Sequence, residues 1–113
     1  NIGNNKFRRR QLPFKGQISS INDIALNDFN NDGYMDALFV GNNYNISTQL
    51  GKLDASHGQI LLNNKKGFFE MISSQNFNVN GESRNIEKIK IKDDLFYVFS
   101  MNNDTPIFVK SNK

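Results

Sequence analysis

Between Asp28 and Asp36 the chain reads Asp28-Phe29-Asn30-Asn31-Asp32-Gly33-Tyr34-Met35-Asp36. Side-chain oxygens recur at Asp28, Asn30, Asp32 and Asp36, and a glycine follows the third of them. Three carboxylates held within nine residues repel one another unless a cation sits among them. A hard divalent cation takes about six to eight oxygens at about 2.3–2.6 Å, and this spacing offers them from one short loop. The expected chemistry is oxygen ligation of Ca2+. Magnesium suits the loop less well, because it keeps its waters and rarely accepts an all-protein cage.

The first seven positions match an EF-hand loop: Asp28, Asn30, Asp32, Gly33 and the backbone oxygen of Tyr34. The twelfth position, where an EF-hand carries a bidentate Glu, is Phe39. Asp36, at the ninth position, is placed to close the site instead. Gly33 allows the sharp turn that brings it back. The alternative is a metal-free turn, since Asn and Asp favour turns on their own account.

Strands, not helices, must position this loop. Ile21 to Leu26 precedes it as a short strand, with the cleanest alternation from Ile24 to Leu26. Ala37-Leu38-Phe39-Val40-Gly41 follows it as a short apolar run suited to a buried strand. Further strands are expected at Gln59–Asn63, Phe68–Ile72, Ile86–Ile91, Leu95–Phe99 and Ile107–Val109. Turns are expected at Asn64–Gly67, Asp93-Asp94 and Asn102–Pro106. Phe7 marks an edge strand within Lys6–Phe14, ended by Pro13. The polar connection from Asn42 to His57 is long for a hairpin, which makes it a candidate partner surface. Ile21–Gly41 and Ile86–Phe99 also resemble each other at a period near sixty residues, the second with a two-residue turn in place of the loop.

The 113 residues suit one domain or part of a larger one. There is no cysteine, hence no disulfide framework and no zinc or redox cysteine site. His57 is the sole histidine, too few for a transition-metal cluster, and nothing orients it with Ser56 into a catalytic triad. No phosphate-cradling glycine loop and no apolar run of membrane-spanning length occurs. The chain opens on Asn1 rather than Met, so a processed or truncated start is expected. Residues 1–16 carry Lys6, Arg8, Arg9, Arg10 and Lys15 and no acid, a local +5. The remainder, with nine basic and eleven acidic residues, carries −2. A basic start could favour anionic partners, but solvated side chains on one strand are the preferred account.

The loop followed by Ala-Leu-Phe-Val-Gly-Asn resembles FG-GAP/VCBS repeats, the calcium-binding blades of integrin α-subunit-like β-propellers. Leu53–Asn63 with Gly67-Phe68-Phe69-Glu70 looks like the later half of such a repeat in bacterial surface proteins. Arg84–Ile89 and Asn102–Phe108 look like their closing blade. Most of the chain is covered, but only the loop is a specific motif. The resemblance implies structural Ca2+ held by Asp28, Asn30, Asp32, Tyr34 (backbone) and Asp36. Asn30 stands where Asp is common, which removes one charge and softens affinity.

The implied fold is all-β, about two four-stranded antiparallel blades of an incomplete propeller. Residues 1–18 would end a preceding blade, 19–74 would form the calcium-loop blade, and 75–113 a degenerate last blade. The implied function is a non-enzymatic, calcium-stabilised scaffold, extracellular, on the cell surface or periplasmic, in a bacterium. Its partner would be an unknown protein or glycan, with no nucleic acid and no transmembrane segment. Exposed blade edges would pair with further blades or a second copy. The alternative is an accessory propeller of a larger secreted enzyme acting on a polymer.

Overall fold

The computed structural model describes residues 2–17, 19–42, 57–71 and 77–111. The fold is all-β, with two antiparallel meanders. β1 (Ile21–Asn27), β2 (Asp36–Gly41), β3 (Gln59–Asn63) and β4 (Phe69–Met71) form the first sheet, in that order. β5 (Ser83–Ile91), β6 (Asp94–Met101) and β7 (Ile107–Lys110) form the second. Neither sheet closes on itself. No described helix is long and apolar enough to cross a membrane.

The sheets pack face to face, with β5 against β1 and β2. Leu38, Val40 and Ile60 of the first sheet meet Ile86, Tyr97 and Phe99 of the second, and all are buried. Val79, on the segment leading into β5, completes this core at 1% exposure. Its N–H donates to the His57 carbonyl, as that of Phe77 does to Gly58, which ties the connecting segment to the start of β3.

The seam between the sheets is also polar. Asp23 Oδ2 accepts the Ile86 N–H at 2.8 Å. Asn22 Nδ2 donates to the Ser83 carbonyl at 2.8 Å, and Asn42 Nδ2 to the Gly81 carbonyl at 3.1 Å. Asn42 is fully buried, as a side chain with this many partners can be. Ser19 Oγ donates to its Oδ1 at 2.8 Å. β1 and β2 approach so closely here that a Cβ on Gly41 would overlap the Ser20 carbonyl oxygen.

The opening hairpins of the two sheets share their construction. Each first strand carries one extra residue at its second position, Asn22 in β1 and Arg84 in β5. Such an insertion bends and twists the strand. Asn42 N–H donates to the Ser20 carbonyl just outside the first hairpin, and Asn102 N–H to the Glu82 carbonyl just outside the second. Counted from the bulges, Ile24 corresponds to Ile86 and Phe39 to Phe99. The pairs then diverge. β5 and β6 run on through Lys90–Leu95 and Ile91–Asp94, where β1 and β2 part around the acidic loop.

Several sequence expectations need correction. The second sheet shows three strands, not four, among the described residues. No strand forms within Lys6–Phe14. Gly3, Asn4 and Asn5 all take positive φ, and Lys6 N–H bonds the Gly3 carbonyl, so the segment starts as a turn. It ends in a 3₁₀ turn at Phe14–Gln17. The turn expected at Asp93-Asp94 is at Lys92-Asp93, because Lys92 adopts the left-handed conformation and Asp94 pairs with Ile91. Residues 43–56, most of the connection proposed as a partner surface, lie outside the described residues, as does Ile72.

Burial also departs from the periodicity. Ile24 and Leu26 point to solvent at 54% and 58% exposure, while Asp23, Ala25 and Asn27 face inward. On the second sheet Ile91 and Phe108 are likewise exposed. Both outer faces are therefore partly apolar.

Candidate metal centre

Asp28 to Met35 link β1 to β2, and Asp36 is the first residue of β2. Two left-handed residues, Asn31 (φ 58°) and Gly33 (φ 86°), fold the loop back on itself. Glycine adopts that conformation freely and Asn tolerates it, which is why these types stand here.

The carboxylates organise the loop backbone. Asp28 Oδ1 accepts the Asp32 N–H at 3.0 Å and Oδ2 the Gly33 N–H at 2.7 Å. Asn30 Oδ1 accepts the Asp32 N–H at 3.1 Å, and its Nδ2 donates to Asp32 Oδ2 at 3.1 Å. Asp32 Oδ1 accepts the Tyr34 N–H at 3.0 Å. Asp36 is fully buried: Oδ2 accepts the Phe29 N–H at 2.9 Å and Oδ1 the Asn63 N–H at 2.9 Å. Asp36 thus ties the loop to the end of β3. Asn63 Nδ2 adds a bond to the Met35 carbonyl at 3.3 Å.

Two further contacts, not legible from the motif, fix the loop in the fold. Phe29 sends its ring into the core, 5.7 Å from the Tyr97 ring centroid and 6.1 Å from that of Phe77. Lys65, on the β3–β4 turn, places Nζ 3.5 Å from Asp32 Oδ2 and 5.0 Å from the Tyr34 ring centroid. The Asp32 carboxyl is held below its usual range. Desolvation raises it, but the Tyr34 N–H, the Asn30 amide and the Lys65 ammonium together outweigh that.

The structure brings Asp28, Asn30, Asp32, Tyr34 and Asp36 onto one turn. Among the described residues, however, no three carboxylate or imidazole groups converge as a ligand cluster. The loop carboxylates are turned onto backbone N–H groups, and Lys65 supplies the counter-charge. The donor set still fits a hard cation. It offers three carboxylates, one amide oxygen and a peptide carbonyl, with no nitrogen or sulfur ligand. A carboxylate oxygen that accepts one N–H keeps a second lone pair for a metal. Ligation would require Lys65 to withdraw from Asp32.

The sequence matches no family model, and comparisons with curated proteins and with solved structures return no match.

Proposed function

We propose that the chain is a calcium-stabilised repeat segment of a β-propeller and serves as an extracellular scaffold for binding another molecule. One observation carries the calcium part: the Asp28–Asp36 loop joins β1 to β2, is pinned to β3 through Asp36, and inserts Phe29 against the second sheet. A cation held there would lock two sheets together, not merely one hairpin. Asp28, Asn30, Asp32, the Tyr34 carbonyl and Asp36 would hold it, in a structural role. Extracellular calcium modules bind at about 10⁻⁴–10⁻³ M, which suits an exported setting.

The blade reading is supported by the shared construction of the two hairpins and by their stacking. Ile86 is buried against the first sheet, while its counterpart Ile24 is exposed. A preceding blade, or a second copy of the chain, would cover Ile24 and Leu26 in the way the first sheet covers Ile86.

Thermal or urea unfolding with calcium and with chelator tests the proposal. At a hundredfold excess over its dissociation constant, calcium adds about 2.7 kcal/mol to stability. Asp32→Ala abolishes that gain. If wild type shows no gain with calcium and Asp32→Ala responds identically, the loop is a metal-free turn.

A further inference from the structure

We propose that the cleft between the N-terminal segment and the β3–β4 hairpin binds an acidic sugar residue, its carboxylate or sulfate held by Arg8, Arg10 and Lys66 and its ring by Phe68 and Phe69. The cleft measures about 520 Å³, within the range of about 300–1,000 Å³ typical of small-ligand sites. Arg8, Arg10, Lys66, Leu12, Phe68 and Phe69 line it, and none of the described lining residues is acidic. These cations therefore face the cleft with no carboxylate among its described lining residues.

The Arg10 guanidinium carbon lies over the Phe68 ring, 4.4 Å from its centroid. A guanidinium held against a ring face keeps N–H donors for an anion, and its fork can grip a carboxylate or sulfate with two bonds. Phe68 and Phe69 are 46% and 38% exposed, so ring surface remains for the apolar face of a sugar. Positive charge beside exposed aromatic surface matches an anion carried on a ring. It does not match a nucleic-acid backbone, which needs an extended basic track. Outside residues 1–16 the chain carries −2.

The cleft also abuts the acidic loop. Asn63 lines it and donates to Asp36 Oδ1 from its backbone. Lys65 and Lys66 diverge from one turn, the first to Asp32 and the second to the cleft wall.

The inference takes its partner class from the scaffold reading, and a titration in chelator keeps it separate from the calcium claim. The full chain is titrated calorimetrically with a galacturonic acid trisaccharide, and with maltotriose, inorganic sulfate and a short single-stranded oligonucleotide as comparisons. The trisaccharide acid binds and maltotriose does not. Arg10→Gln and Lys66→Gln each weaken binding by about tenfold or more. Phe68→Ala weakens it as well. Arg9→Gln, which removes a neighbouring charge that does not line the cleft, leaves affinity within about twofold. All four side chains are exposed, so the variants melt with the wild type. Four outcomes overturn the proposal: no binding of the trisaccharide acid, equal loss on Arg9→Gln and Arg10→Gln, no loss on Phe68→Ala, or tighter binding of sulfate or the oligonucleotide.

Discussion

Asp36 holds the loop in place whether or not a cation is bound, and its removal measures how much. The residue is fully buried, and its two oxygens each accept one backbone N–H, from Phe29 and from Asn63, both at 2.9 Å. Asp36→Ala deletes both acceptors and leaves two part-buried donors without their partner. An unsatisfied buried donor costs about 1–3 kcal/mol, so the pair costs about 2–6 kcal/mol. That is a large share of the roughly 5–15 kcal/mol by which native domains are stable. Asp36→Asn keeps one acceptor oxygen and sets an NH₂ group against the remaining N–H, so it falls between alanine and wild type. Urea unfolding in chelator reads the effect free of calcium, as a drop in midpoint at unchanged slope. Asp32 supplies the contrast: it lies nearer solvent, and Asp32→Ala moves the midpoint in chelator far less. Coincident midpoints for wild type and Asp36→Ala in chelator would refute the buried-acceptor account of the loop.

Three further substitutions probe neighbouring features. Gly41→Ala places a Cβ onto the Ser20 carbonyl oxygen and lowers stability by about 1–3 kcal/mol or more, read from urea midpoints; an unchanged midpoint means that β1 and β2 do not approach as described. Burial pushes the Tyr97 hydroxyl above 10.0, with the Asn27 side chain pulling the other way. The neutral hydroxyl therefore stabilises the fold below the unfolded value near 10.0, and that contribution is lost as pH rises through the higher folded value. Tyr97→Phe keeps the ring and flattens this alkaline limb in melts taken across that pH range. Lys65→Met removes the ammonium beside Asp32, so calcium binds several-fold more tightly at low salt, and the gain fades as salt screens the exposed pair. Equal calcium affinity in the two proteins at low salt would show that Lys65 does not compete.

The sequence was most informative where the signal is local. The acidic spacing marked a turn between two strands, because ligand chemistry and turn chemistry both act within nine residues. The apolar run at Leu38–Val40 marked a buried strand, and Leu95–Phe99 marked a strand that buries Tyr97 and Phe99. Contacts made across the chain were not legible. Phe29 occupies a position the motif leaves free, and only the packing of the second sheet makes it a core residue. Lys65 belongs to a turn remote in sequence from the loop it neutralises. Asn22 and Asn42 join the two sheets but are indistinguishable, in an Asn-rich chain, from turn residues. The alternation in β1 was visible, but not its direction: periodicity identifies two faces of a strand and does not say which will find a partner.

That last ambiguity has a structural consequence. In an isolated two-sheet sandwich, each sheet should turn its more apolar face inward. The first sheet does so with Leu38, Val40 and Ile60, but β1 presents Asp23 and Asn27 beside Ala25 to the second sheet and Ile24 and Leu26 to solvent. The inward polar groups are satisfied by specific partners, the Ile86 N–H for Asp23 and the Lys88 ammonium, at 3.4 Å, for Asn27. Such an arrangement costs apolar burial at an exposed face while committing the polar face to a neighbour of defined register. It makes physical sense for a sheet that lies between two others. The second sheet turns Ile86, Tyr97 and Phe99 inward, and Ile91 and Phe108 on its opposite face are exposed. Ile24, Leu26, Ile91 and Phe108 are the exposed residues that the proposed stacking of further blades would cover.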